Sequence, residues 1–325
     1  MMVKSTVQLF ARSCFLVIGL VSASAAGWPQ GYVVHDGTES PDGQYGIIVP
    51  EEETTETGAE TSINCLANLK THQSLGQIKG SDYFEHQNHA GLSVTWAKDS
   101  SIAVANYESR FGSWSIIVIE PTPSKFVQTE IGKHIQTAID AVIAKQAHER
   151  DAGGYVSPLF RIEPGRKIRV YATALTNPKQ LEDAKSYFAL FRGLYDLPAK
   201  KWIKSEARPL TSKENDLLES ASTSYDAAKY QVSPEAFKDS PDDAEEPLVV
   251  DDNVCFRSEA SEFKYVDDKM NEVYKAARVI LSSSEFAKVQ VDQREWLKKR
   301  DATASLGEKS KLTIARIEAL QDASW

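Results

Sequence analysis

The stretch Val266-Asp267-Asp268-Lys269-Met270-Asn271-Glu272-Val273-Tyr274 and, beyond the turn Ser282-Ser283-Ser284, the stretch Gln293-Arg294-Glu295-Trp296-Leu297-Lys298-Lys299-Arg300-Asp301-Ala302 read as two amphipathic helices. Phe263, Val266, Met270, Val273, Tyr274, Ala277, Ile280 and Leu281 recur at steps of three and four and therefore share one helix face. Phe286, Val289, Trp296 and Leu297 do the same in the second stretch. Ser282 and Glu285 have capping-box spacing, so the turn that ends one helix also starts the next. So short a turn forces an antiparallel hairpin. Folding the chain back at that point brings Asp267 near Arg300 and Tyr274 near Gln293. Asp267, Asn271 and Arg300 then fall beside an apolar seam, where lone polar groups are costly and mutually bonded ones are tolerable. The expected role is a structural polar network that fixes helix register. Carboxylate, amide and guanidinium without a nucleophile or metal ligand make a poor reaction site.

The pairing of D-x-x-x-N-x-x-Y with Q-x-x-W-L-x-x-R-D-A resembles the lysozyme inhibitor LprI-like domain of bacterial envelope proteins. The resemblance runs from about Cys255 to Leu320 and continues in an L-T-x-x-R-x-x-x-L helix at Leu312, Thr313, Arg316 and Leu320. It matches the family at Asp267, Asn271, Tyr274, Gln293, Trp296, Arg300 and Asp301, most of them expected to be structural. It implies an all-helical domain whose founding activity is binding and inhibiting lysozyme, typically a cationic protein. Members usually carry a cysteine just after R-D-A, paired with one ahead of the first helix. Here Thr303 and Ala304 stand in that place, so Cys255 lacks the expected partner.

Lys4 and Arg12, the apolar run from Cys14 to Val21, and the small-residue stretch Ser22-Ala23-Ser24-Ala25-Ala26 form a secretory signal peptide over residues 1–26. Its apolar run is too short for a stable membrane span. Cys14 precedes that run rather than following it, which argues against a lipoprotein anchor. The expected product is periplasmic or secreted, without a membrane span. Loss of Lys4 and Arg12 with the leader would take the formal net charge from −9 to −11. An acidic chain argues against nucleic acid and anionic membranes as partners and is compatible with a cationic protein. Cys65 and Cys255 remain after processing; an oxidising compartment permits a bridge between them, and two separate buried thiols are the alternative.

Residues 27–230 read as an α+β domain. Tyr32-Val33-Val34 and Tyr45-Gly46-Ile47-Ile48-Val49 flank the turn Ser40-Pro41-Asp42-Gly43. Leu92 to Trp96 leads through Lys98-Asp99-Ser100-Ser101 into Ile102 to Ala105, and Ser113 to Ile119 follows a turn at Arg110-Phe111-Gly112. These units look like blades of bacterial WD40-like propellers. Only two are visible where a propeller needs about four, so they are read as hairpins of one antiparallel sheet. A long helix starts at Thr129, with Ile131, Ile135, Ile139, Val142 and Ile143 on one face, and ends at Gly153-Gly154. Hairpins around Glu163-Pro164-Gly165-Arg166 and Leu197-Pro198-Ala199-Lys200 follow, then a helix from Thr211 to about Ala228. Residues 231–253, rich in Pro, Asp, Glu and Ser, read as an acidic linker, and residues 254–325 as the all-α helical-hairpin domain.

No G-x-S-x-G elbow, H-E-x-x-H, phosphate loop or dinucleotide fingerprint occurs, and no cofactor is expected. His86-Gln87-Asn88-His89 comes nearest to a metal motif, with Asp82 or Glu85 as a third ligand, but reads as a polar loop. His134 and His148, within or near the long helix, read as solvent-facing side chains and as caps of the helix C-terminus. Trp96, Trp114, Tyr187, Phe188, Phe191 and Trp202 either line a groove or, by default, pack in the core. The sum is a non-enzymatic binding protein acting through the helical domain. The alternatives are a cell-wall or zinc-dependent hydrolase, or a structural envelope scaffold.

Overall fold

The computed structural model describes residues 28–52, 63–110, 112–146, 154–176, 186–222, 230–238, 246–250 and 253–324. The leader with Cys14 and its cleavage stretch, Phe111, His148, Gly153, the end of the helix after Ser222, and 239–245 and 251–252 of the linker lie outside them.

Three four-stranded meanders follow one another along the chain. The first comprises β1 (Tyr32–Val34), β2 (Tyr45–Pro50), β3 (Cys65–Asn68) and β4 (Gln73–Gln77). The second comprises β5 (Ala90–Trp96), β6 (Ala103–Ser109), β7 (Gly112–Thr122) and β8 (Lys125–Glu130). Helix α1 (Gly132–Gln146) leads to the third: β9 (Gly154–Glu163), β10 (Lys167–Thr176), β11 (Phe188–Asp196) and β12 (Lys201–Leu210). Every pairing within the three is antiparallel. The α+β reading of this region holds.

The single sheet expected for the first hairpins is two sheets. The reason lies in strands apolar on both faces: Ile47, Ile48 and Val49, and Ala103, Val104 and Ala105, are all fully buried. A sheet covered on both sides has no solvent face and stacks between layers. Strand alternation divides its side chains between two cores. Ala103, Ala105, Tyr107, Ile117 and Ile119 pack with Ile47, Val49 and Leu66 of the first sheet. Val104, Ile116 and Val118 pack with α1 and with Val170, Ala172 and Phe191 of the third sheet. Helix α1 also begins later than its periodicity suggests. Thr129 is still in β8, and the Glu130 side chain accepts the Lys133 N–H at 2.9 Å to start the helix.

Helix α2 (Ser212–Ser222) starts at the expected Thr211/Glu214 box. The stretch read from composition as linker carries β13 (Tyr230–Val232), a 3-10 turn (Pro234–Phe237) and β14 (Leu248–Val250). Both strands pair with β15 (Asn253–Phe256), β13 in parallel and β14 antiparallel. Phe237 anchors the turn at 4% exposure, a contact that composition does not reveal. Helices α3 (Glu259–Ile280), α4 (Ser283–Asp301) and α5 (Leu306–Ser324) complete the chain. Tyr171 and Leu190, on the second face of the third sheet, join Leu218, Met270, Val273, Ile280, Phe286 and Ile317 in one core. The helices therefore use the sheet as their floor.

Candidate functional site

Helix α3 opens at Ser258, whose hydroxyl accepts the Ser261 N–H while Ser261 answers with a reciprocal bond. It ends where Leu281 turns extended. Ser282 caps α4 by the same device with Glu285, as the spacing predicts. The link is two residues, Leu281 and Ser282, so α4 folds straight back. Its register is set by Asp267 against Arg300, Met270 against Gln293, and Tyr274 against Phe286.

Arg300 is the hub. Its Nη1 donates to Asp267 Oδ1 at 2.5 Å, and its Nε donates to Asp301 Oδ1 at 3.1 Å. Its guanidinium lies 4.9 Å from the centre of the Trp296 ring. The Arg300 side chain is 15% exposed and that of Asp267 31%, so the pair is half-solvated rather than sealed. Trp296 faces the other way and donates its indole N–H to the Leu312 carbonyl on α5 at 3.2 Å. Gln293 is buried; its amide nitrogen meets the Met270 sulfur at 3.1 Å, and its oxygen accepts from Arg316 Nε at 2.8 Å. Burial holds the Arg316 pKa below the usual guanidinium value, with Asp292 and Tyr274 partly offsetting it.

An open cleft of about 370 Å³ runs between α3 and α4. Asp267, Met270, Asn271, Tyr274, Gln290, Gln293, Arg294, Leu297 and Arg300 line it. Five of the seven motif residues meet there: Asp267, Asn271, Tyr274, Gln293 and Arg300. Trp296 instead ties α4 to α5, and Asp301 is exposed beside Arg300. Asn271 stands exposed on the rim, and the polar chain runs from Gln293 to Arg316 instead. Sequence reading missed Gln290 and Arg294 as rim residues. The signal was available: with Leu297 and Arg300 they continue one face at steps of three and four. No Ser, Cys, Thr or His lines the cleft. It offers donors, acceptors and a paired charge, groups suited to recognition.

The third sheet holds the helices by their ends. Arg192 Nη1 donates to the Ile280 carbonyl at 3.1 Å, Arg208 Nη2 to Val279 at 3.1 Å, and Arg161 Nη1 to Asp322 at 2.5 Å. Guanidinium groups there satisfy terminal carbonyls and complement the negative helix ends. At the opposite polarity, Arg169 on β10 bridges Glu163 and Glu285, the latter in the first turn of α4, at 2.5 and 2.7 Å. Burial works to raise the Glu285 pKa, but Ser282 hydrogen bonds and the Arg169 charge outweigh it and leave the pKa lowered.

Cys65 on β3 and Cys255 on β15 are both buried and both free. His86 and His89 occupy left-handed turn positions at φ 60°, and the His86 side chain is 92% exposed. Glu85, considered as a third ligand beside them, is engaged by His35 Nδ1 at 2.9 Å. Among the described residues no group of three or more His, Cys, Asp or Glu could hold a metal ion. His134 is exposed, as its sequence position suggests, and stacks on Trp202 with ring centroids 4.9 Å apart. Phe191 is in the core, whereas Trp114 is 46% exposed.

Residues 253–322 match the model of a family described as Lysozyme inhibitor LprI. No curated protein and no solved structure matches the chain. No helix among the described residues is long and apolar enough to cross a membrane.

Proposed function

We propose that this is a secreted or periplasmic binding protein, without catalytic activity, whose helical region recognises a cationic lysozyme through the α3–α4 cleft. One observation carries the reading. The region that matches the LprI family turns five of its seven motif residues into the lining of one open cleft. In this reading Asn271, Gln290 and Arg294, exposed on the rim, make the contacts. Asp267, Arg300 and Gln293 hold the two walls in register, and Trp296 ties α4 to α5. The chain's formal charge of −9 would speed encounter with a cationic enzyme and make it salt-sensitive.

The test is inhibition of a panel of lysozymes by the mature full-length protein at micromolar concentration. Inhibition of at least one, weakened by salt, is expected. Asn271→Ala and Arg294→Ala should each weaken it while changing stability by no more than about 0.5 kcal/mol. If no lysozyme in the panel is bound or inhibited, the proposal fails.

A further inference from the structure

A second cleft lies on the opposite part of the molecule, between β7 and the first turn of α1. It encloses about 610 Å³, within the range of small-ligand sites. We propose that it is a saccharide site for an uncharged, β-linked hexose oligomer. The proposal stands independently of the lysozyme reading.

Trp114 is the first observation. It belongs to a strand whose following residues, Ser115 to Ile119, are all buried, yet it is itself 46% exposed and faces the cleft. Exposing so large an apolar ring leaves burial energy unused. Its ring is also backed from within by Tyr107, fully buried, with centroids 5.7 Å apart. The indole is therefore a supported platform rather than a loose surface side chain. Such a platform fits the apolar C–H face that a β-linked pyranose presents.

The second observation is polar. The Ser113 hydroxyl oxygen is buried and has no hydrogen-bond partner among the described residues. An unsatisfied buried hydroxyl costs about 1–3 kcal/mol, and a rotation of the Ser113 side chain toward the cleft it lines would let a ligand hydroxyl relieve it. Ser115, Glu130, Gln136 and Thr137 line the same cleft. Gln136 is held in place by donating to Asp140 at 2.7 Å, and Glu130 by accepting the Lys133 N–H. A row of hydroxyl, amide and carboxylate groups matches a ligand that is itself rich in hydroxyls.

Charge selects against the alternatives. The lining carries one carboxylate, Glu130, and one ammonium, Lys133. Neither an anionic nor a cationic ligand gains from such a balance. Close packing makes the cleft possible: a Cβ on Gly132 would lie 3.2 Å from the Ile116 backbone nitrogen and Cβ. Glycine lets the helix start press against the strand and leaves the space above it to a ligand.

The experiment is calorimetric titration of the mature full-length protein with cellohexaose and with chitohexaose. Binding of at least one, insensitive to salt, is expected. Trp114→Ala should weaken it at least about tenfold, and Ser113→Ala less, with melting temperatures unchanged. If Trp114→Ala lowers the melting temperature, Thr137→Val, at an exposed helix position, carries the decision by a loss of affinity. No heat with either sugar at millimolar concentration overturns the proposal. So does an affinity that survives Trp114→Ala, or one that survives Thr137→Val where the first variant is unstable.

Discussion

The layered sheets and the helical region bury their side chains by opposite means. Between the second and third sheets the core is dry: Val104, Val118, Ile135, Ile139, Val170 and Phe191 are at 0% exposure. Backbone polar groups there are spent on strand pairing, so nothing but shape and area has to match. Between α3 and α4 the seam is threaded by Asp267, Arg300 and Gln293, the last bonded in turn by Arg316 of α5. Helices satisfy their backbones internally and can slide along one another; strands cannot, because each register is written in hydrogen bonds. A polar chain that bonds correctly in one alignment gives the helix pair what strand pairing gives a sheet. The contrast teaches where stability and where specificity reside.

The largest test of that contrast is Phe191→Ala. It should cost about 3–5 kcal/mol in denaturant unfolding, because the surrounding layers cannot collapse into the cavity. A loss below about 1 kcal/mol would mean that the sheets are not tightly packed.

Next comes the dependence of the helices on their floor. A fragment of residues 248–325 should be helical in the far ultraviolet. Extending it to begin at residue 211 restores α2, with Leu218 and Ala221 buried in the shared core. The gain should be about 2–3 kcal/mol. Equal stability of the two fragments would make the helical region self-sufficient and the boundary near residue 254 a true one.

The polar seam should respond more mildly. Asp267→Ala or Arg300→Ala should each cost about 2 kcal/mol, less than a sealed pair because Asp267 keeps 31% of its side chain in solvent. Changing both to alanine should cost clearly less than the sum, measured as a double-mutant cycle. Strict additivity would mean that the two do not act as a pair.

The smallest effect is acid sensitivity at the helix–sheet boundary. Burial opposes ionisation of Glu163 and Glu285. Hydrogen bonds and ion pairs (Arg169 and Arg161 for Glu163, Ser282 and Arg169 for Glu285) prevail and lower both pKa values. A carboxylate with a lowered folded pKa contributes stability that is complete above its unfolded value, near 4.3, and is lost as pH falls through the folded one. Glu262 runs the other way, raised by burial and by Glu259, and offsets part of that loss. Glu285→Gln should flatten the fall in melting temperature below about pH 4.3. An unchanged slope would place the acid sensitivity elsewhere.

The helical hairpin was the most legible part of the sequence. Its period, the Ser282 cap and the Asp267–Arg300 match follow from spacing along one element and one short turn; the Ser258 cap of the first helix was not read. The sheet hairpins were equally clear locally, around Ser40 to Gly43 and Glu163 to Arg166. What spacing could not give was the relation between distant segments. That Arg161, Arg169, Arg192 and Arg208 reach helix termini is a contact across roughly a hundred residues, and exposed-looking arginines on strands carry no mark of it. The small sheet of β13, β14 and β15 was hidden for a similar reason. Its strands are too short to show a period, and acidic residues around them dominate the composition. Among the aromatics, alternation placed Phe191 inside, but Trp114 stands outside, just before the buried run Ser115 to Ile119 of its strand.

The two buried free thiols bear on the making and lifetime of the chain. Folded, each is screened from oxidants, and burial raises the Cys65 pKa, so little of its reactive thiolate forms. Each opening of the structure in an oxidising compartment would expose Cys65 and Cys255 together, free to join to each other or to another chain. Such a bridge would trap the opened chain, turning a reversible excursion into a loss. Survival is then a matter of how seldom the molecule opens, and a rate rather than an equilibrium sets its endurance. Reductant during refolding should raise the recovered yield, and replacing both cysteines with alanine should remove that dependence.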